Sequence, residues 1–367
     1  MALSVPIIGI DPHKHSHTAV TLDGSEEIIA HIRIDASADQ VDQLLLWAPA
    51  DPGQVWAIEN AKGMGRLLSQ QLVARGETVL DVPATLAART RMLSGKSATK
   101  TDAHDARSVA IVAAHHGTLQ RVLPDDMTTV IGLLLERRWQ LVSQRQRLIC
   151  QLHATLADLT PAGAKRHLTC KKAAVLLRGI RPVGPEETVR KAVAKEMLSD
   201  WRWLNGRIPP TEQRLRDALD AHGTRLRDIC GIGDIGAATI LAVVGDVSRF
   251  PTAGHFAAFN GTAPIQASSG NVIRHRLSRR GDRQLNKVLH VAARVQVRLP
   301  DTPGRTYYMR KVEEGHGRME ALRKLKRQLS NVVYRHLLAE QTRRVRGGQI
   351  GDETEVRVTG RHSYTGA

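Results

Sequence analysis

Aromatic side chains make up only 3% of this 367-residue chain. Any core must therefore be packed with Ala, Val, Leu and Ile, and an apolar content of 42% is enough to supply one. Cysteine is just as sparse. Cys150, Cys170 and Cys230 are odd in number and widely spaced, which excludes both a disulfide framework and a zinc knuckle. No apolar run reaches the length of a bilayer span. The opening MALSVPIIGIDPHKH lacks the basic start and long apolar stretch of an export signal. These absences lead to the expectation of a cytoplasmic protein without a membrane partner.

Positive charge is what the chain has in excess. The formal net charge is +17, and a soluble protein this basic usually meets a polyanion, with nucleic acid the default. A solvated basic surface is the plainer alternative. The charge is also divided along the chain. Residues 1–120 hold about ten Lys and Arg against about thirteen Asp and Glu, whereas residues 265–350 hold about twenty against about six. Acids lie at the front and bases at the back, which suits a metal-binding half joined to a phosphate-gripping half.

Hydropathy patterning predicts an α/β region first. Strands are expected at Val5–Ile10, His17–Leu22, Glu27–Ile34, Gln54–Glu59 and Thr78–Val82. Helices are expected at Ala38–Trp47, Gly63–Arg75, Ala84–Leu93 and Asp102–Ala114. Three meandering strands followed by alternating helices and strands is the order of a ribonuclease H-like fold. The pattern then changes. Leu134, Leu141 and Leu148 recur every seven residues and Leu152, Leu156 and Leu159 extend the stripe, so 125–159 is expected to be one long helix. It is either a coiled-coil arm or a core helix. Further helices are expected at Glu186–Trp203, Thr211–Ala221, Asp282–Arg298 and Arg318–Glu340. The expected divisions are 1–122, 123–222, 223–345 and a disordered tail at 346–367.

Two groups of residues carry chemistry. Asp11 closes the first expected strand and Glu59 the fourth, and these strands are neighbours in a ribonuclease H-like sheet. Asp102 and Asp105 lie three apart at a helix start and share a face. Four converging acids repel one another unless a divalent cation such as Mg²⁺ or Mn²⁺ lies between them. Such a centre supports phosphoryl transfer. Singly, each acid has an ordinary reading: a strand-ending turn for Asp11 and Glu59, a helix cap for Asp102, a favourable first-turn charge for Asp105. His13, His15 and His17 lie beside Asp11, and a polar turn explains them more simply than a metal cluster.

The second group lies in the C-terminal half. Gly231-Ile232-Gly233 resembles the turn of a helix-hairpin-helix, whose glycines admit a phosphate to a helix N-terminus. In a polar loop, Ser268, Ser269 and Gly270 place a hydroxyl beside a tight turn. Serine there is either turn chemistry or a nucleophile for phosphorus. Arg274, Arg276, Arg279, Arg280 and Arg283 follow. Lys311, Arg323, Lys324, Lys326 and Arg327 form a second basic set, expected to grip phosphates.

Taken together, GIDPHK (Gly9–Lys14), AIEN (Ala57–Asn60), TDAHDAR (Thr101–Arg107), the stretch Gly231–Gly245, FNGTAPIQASSG with LSRRGDRQLN (Leu277–Asn286), YYMRK (Tyr307–Lys311) and ALRKLKRQLS (Ala321–Ser330) resemble the DEDD transposases of bacterial insertion sequences, of the insertion-sequence-110 type. The resemblance runs through nearly the whole chain in the right order. It implies a RuvC-like N-terminal domain in which Asp11, Glu59, Asp102 and Asp105 hold Mg²⁺. It also implies a helical coiled-coil middle that dimerises, and a mainly α C-terminal transposase domain with a helix-hairpin-helix-like element. The catalytic serine is implied at Ser269, with Ser268 the competitor. Implied partners are donor and target DNA, a non-coding bridge RNA, and further copies of the chain in dimers and tetramers. A composite site would draw carboxylates and serine from different subunits, and the location would be nucleoid-associated. One departure is Asn60-Ala61-Lys62-Gly63, where many members have a Gly-rich turn; it affects local loop contacts and leaves the acid in place. The alternatives are a hydrolytic junction nuclease using the carboxylates alone and a non-catalytic nucleic-acid-binding protein.

Overall fold

The computed structural model describes residues 6–49, 51, 53–93, 101–266, 275–277 and 281–359, the side chains of 265–277 and 345–359 excepted. The expectations for Ser268, Ser269, Gly270, Arg274, Arg279 and Arg280 fall outside these residues. The chain forms two compact units, Met1–Asp125 and Asp126–Ala367. No described helix is long and apolar enough to cross a membrane.

The first unit runs β1 (Ile7–Pro12), β2 (Ser16–Leu22), β3 (Ile28–Asp35), α1 (Gln40–Trp47), β4 (Val55–Glu59), α2 (Arg66–Ala74), β5 (Thr78–Val82), α3 (Ala84–Leu93), α4 (Asp102–His115) and β6 (Gln120–Arg121). Its six strands form one mixed sheet in the order β3-β2-β1-β4-β5-β6. The first three strands pair antiparallel, whereas β1, β4 and β5 are mutually parallel. The expected adjacency of β1 and β4 is therefore present, and the arrangement is consistent with a ribonuclease H-like domain. Short β6 was not expected from the sequence; it adds to the edge of β5 in antiparallel sense.

Strand alternation gives the sheet two faces. Ile8, Ile10, Trp56 and Ile58 pack under α1 and α2 against Val41, Leu44, Leu68 and Leu72. On the opposite face Ile7, Ala57 and Val82 pack against Ala106, Val109 and Ala110 of α4. Small residues bring that helix close. A Cβ built on Gly9 would lie 2.2 Å from the Ala106 carbonyl oxygen and 2.7 Å from the Ala110 backbone nitrogen. The turn after β4 departs from a Gly-rich one by placing Asn60 at φ +50°, a left-handed conformation that Asn tolerates better than most residues.

The second unit contains α5 (Met127–Ala157), α6 (Cys170–Gly179), α7 (Gly184–His222), α8 (Asp234–Val244), α9 (Ala253–Phe259), the hairpin β7 (Pro264–Gln266) and β8 (His275–Leu277), then α10 (Arg283–Arg298), α11 (Pro303–Glu313) and α12 (Arg318–Thr359). The leucine stripe of α5 is covered by α7 of the same chain. Leu134 and Leu135 share a cluster with Leu215 and Leu219, Leu141 packs with Leu204 and Ile208, and Leu152 and Leu156 pack with Leu198 and Trp201.

Three expectations change. The helices expected at Glu186–Trp203 and Thr211–Ala221 are one continuous α7 passing through Pro209 and Pro210. Burial against α5 on both sides of the prolines outweighs the lost backbone hydrogen bonds. The Gly-Ile-Gly turn does lead into α8, but a single 3-10 turn (Leu226–Asp228) precedes it instead of an adjoining α-helix. And α12 continues past Glu340 to Thr359, into the segment expected to be a tail.

Around the hairpin the backbone closes on itself. A Cβ on Gly281 would lie 2.2 Å from the Gly261 nitrogen, and the Asp282 amide donates to the Phe259 carbonyl at 2.7 Å. A buried polar chain holds this closure. The Lys326 ammonium donates to the Asn286 side-chain oxygen at 2.7 Å. Asn286 in turn donates to the Asn260 carbonyl at 2.9 Å, and the Asn260 amide donates to Ser330 Oγ at 2.8 Å.

Candidate active site

Asp11 and Glu59 come next in the parallel β1–β4 ladder after the paired Ile10 and Ile58, so both side chains leave the sheet on the face that α4 covers. Asp11 is largely buried, at 9% exposure. The helix that meets them is started by Thr101, whose side chain accepts from the His104 amide. Asp102 and Asp105 lie in its first turn, where the helix dipole favours negative charge. Gly9 allows the backbone of this helix to rest directly on β1, and that contact carries the acidic first turn to the strand ends.

The electrostatics record the convergence. Burial pushes the Glu59 carboxyl above its ordinary value; the negative charges of Asp11 and Asp105 push it further, and Arg91 and His13 oppose them. Ligand atoms of Asp11, His13 and Asp102 all lie within 4.8 Å of one another. The four acids thus fall into two overlapping sets, one around Asp11 and Glu59 with Asp105, the other around Asp11 with Asp102. Carboxylates crowded in this way, with an imidazole beside them, are a donor set suited to a divalent cation.

Three residues at this place were not singled out as partners of the acids. Arg33 of β3 donates to Asp102 Oδ2 at 3.2 Å. Arg91 of α3 donates to Asp105. Arg33 lies 69 residues from its acid, and Arg91 lies 14 residues from its own, on the preceding helix, both beyond the reach of a local pattern. His13 is the third, with Nδ1 3.8 Å from Asp11 Oδ2; its two-residue spacing from Asp11 was the available signal. The other two histidines of that run diverge. His15 is exposed, and His17 is buried with Nε2 2.9 Å from Gln40 Oε1, its pKa lowered by burial.

Comparison with known proteins bears on this arrangement. The family model for DEDD transposases of the IS110 type matches residues 8–161, which contain all four acids. The model of the transposase IS116/IS110/IS902 family matches residues 223–309. The chain belongs to this transposase family. It is 27% identical to the insertion element IS116 protein of Streptomyces clavuligerus over 89% of this chain and 93% of that one. It is 26% identical to the IS900 protein of Mycobacterium paratuberculosis over 89% and 94%. A probable family 20 transposase of Pseudomonas aeruginosa is 27% identical over 54% of this chain and 60% of its own. The transposase is thus a DNA-cleaving and recombining enzyme of an insertion sequence.

In the second unit of the transposase the expected phosphate-gripping residues occupy varied places. Gly231, at φ +87°, backs onto α10, where a Cβ would lie 2.8 Å from Ala292 Cα. Gly233 caps α8 and faces open space. Arg276 lies in β8, paired with Ile265, and Arg283 is exposed in the first turn of α10. Lys324 Nζ is 2.6 Å from His316 Nε2, and Arg327 donates to Asn331 and to the Ala253 carbonyl. Lys326 is a correction. It is 7% exposed and bonded to Asn286, because it falls on the inward stripe of α12 with Leu325, Leu329, Ser330 and Val333. That helical spacing was visible in the sequence, but the run of basic residues around Lys326 masked it.

Proposed function

We propose that the transposase performs RNA-guided strand cleavage and exchange on donor and target DNA, with Asp11, Glu59, Asp102 and Asp105 holding Mg²⁺ or Mn²⁺ and Ser269 as nucleophile. The convergence of Asp11 and Asp102, whose ligand atoms lie within 4.8 Å of each other and of His13, beside a Glu59 carboxyl raised first by burial and then by Asp11 and Asp105, supports this reading. A divalent ion bound there would stabilise negative charge on a phosphate and on a departing oxygen.

The chain's own residues do the rest. The acids on β1, β4 and α4 hold fixed positions because strand register and the Gly9 contact fix their backbones. Arg33 and Arg91 balance the charge of Asp102 and Asp105. In the exchange itself the Ser269 oxygen bonds to phosphorus and gives up its proton, while the phosphorus–oxygen bond to one DNA sugar breaks and that sugar oxygen departs with a proton as a free hydroxyl. The phosphoserine conserves the bond energy for rejoining to a second strand. The excess of basic residues in the C-terminal half supports backbone contact with DNA and with a guiding non-coding RNA. Self-association into dimers and tetramers belongs to the same reading.

The test is a trapped protein–DNA adduct. The wild type forms it on donor DNA in the presence of copurified RNA, and Ser269→Ala does not. Persistence of the adduct in Ser269→Ala moves the nucleophile to Ser268 or elsewhere. Cleavage that survives in Ser269→Ala without any adduct leaves a hydrolytic nuclease. Sequencing the copurified RNA checks the guide, since a guiding RNA is one recurrent species with segments complementary to donor and target.

A further inference from the structure

Beside the acids lies an imidazole, that of His13. β1 ends at Pro12, and the chain turns back at once, the His13 amide donating to the Ser16 carbonyl at 2.9 Å. This turn returns the His13 ring over the strand end from which Asp11 projects. Nδ1 comes within 3.8 Å of Asp11 Oδ2, and Asp102 of α4 closes the group, all three ligand atoms lying within 4.8 Å. The ring is half exposed, so a cation can reach it from solvent.

We propose that His13 is a direct ligand of the divalent ion, and that this centre prefers a first-row transition ion such as Mn²⁺ to Mg²⁺. The inference rests on the proposed metal reading of the carboxylates. Mg²⁺ demands hard oxygen donors in near-ideal octahedral arrangement. An imidazole nitrogen suits transition ions, and as a neutral ligand it adds no further negative charge to a crowd of acids. One nitrogen among the oxygens therefore tilts the choice without abolishing Mg²⁺ binding. His15 and His17 cannot replace it: His15 lies outside the ligand group, and His17 is buried against Gln40.

The experiment is electron paramagnetic resonance of Mn²⁺ added to the full chain without an affinity tag, with Asp11→Asn as the background sample. Pulsed measurement reads directly bound ¹⁴N. The wild type is expected to bind Mn²⁺ with a nitrogen coupling that His13→Ala lacks. Affinity in His13→Ala should fall by at least about 10-fold, since even outer partners of a ligand cost that much. His13→Asp should regain affinity without the nitrogen coupling and shift the preference toward Mg²⁺. Mn²⁺ bound by the wild type without ¹⁴N coupling, or a coupling that survives in His13→Ala, overturns the ligand assignment and leaves the carboxylate reading standing. If the wild type binds no more Mn²⁺ than Asp11→Asn does, both fall together.

Discussion

Gly9→Ala is the substitution that tests how the site is assembled. A methyl group at this position would meet the Ala106 carbonyl oxygen at 2.2 Å and the Ala110 nitrogen at 2.7 Å, where ordinary contact begins at 3.4 Å. Both obstacles are backbone, so rotamer changes bring no relief. Helix α4 must retreat by about 1 Å, a displacement that can cost on the order of 10²-fold when it misplaces a reacting group. Overpacking of this kind destabilises by about 1–3 kcal/mol, which leaves a domain of normal stability folded. The variant should therefore keep its fold by circular dichroism, lose Mn²⁺ affinity, and lose strand cleavage by about two orders of magnitude. Adding Ala110→Gly removes the Ala110 Cβ contact at 2.7 Å but not the carbonyl, so the double variant should recover little. Wild-type metal affinity and cleavage in Gly9→Ala would refute the claim that close approach of α4 to β1 places Asp102 and Asp105.

Asp102→Asn should reduce recombination by on the order of 10²-fold or more while leaving DNA retention in gel shift intact; a normal rate would end the role of Asp102 in the metal site. Pro209→Ala with Pro210→Ala should raise thermal stability, by up to about 3 kcal/mol for each proline removed from a helix interior; a fall would show that α7 needs its prolines. Burial, with the Arg344 guanidinium nearby, lowers His222 from 6.5 to about 4. The unfolded chain then binds the proton first, so stability is full above about pH 6.5 and declines toward about pH 4. His222→Gln should lessen that decline in urea titrations across the range, and an unchanged slope would mean that the ring is not buried as described.

The parts of this chain that were legible in its sequence are those governed by local chemistry. β5 and α3 lie at the expected residues because Pro83 separates them sharply, and the parallel neighbours β1 and β4 follow from the order of elements. β1 lies further along than expected, since Asp11 and Pro12 remain in the ladder opposite Thr18 and His17 although polar residues ordinarily end a strand. The sequence also shows where the four acids converge, because strand ends and a helix start are local features. It does not show Arg33 and Arg91, which reach Asp102 and Asp105 through tertiary packing between separate elements. α6 and α11 were missed for another reason. Each is short and lies between turn formers, and α6 owes its burial to α7, where Ala173 and Leu177 share a cluster with Leu198 and Trp201. The unbroken α7 belongs with them, since pairing with α5 overrides what two prolines dictate locally.

The meeting of Gly261 with Gly281 has a consequence for the chain between them. A Cβ on Gly281 would lie 2.2 Å from the Gly261 nitrogen, whereas one on Gly261, at φ +69°, would lie 3.1 Å from the Asn286 side chain and 3.3 Å from Gly281 Cα; Lys326 and Asn286 fasten the contact from the inner side. Lengthening the chain between these two anchors should cost little stability, because doubling a closed loop costs only about 0.6 kcal/mol. Insertions between Ser268 and Val272 should leave the melting behaviour of the helical unit nearly unaltered, whereas a single methyl group at Gly281 should not.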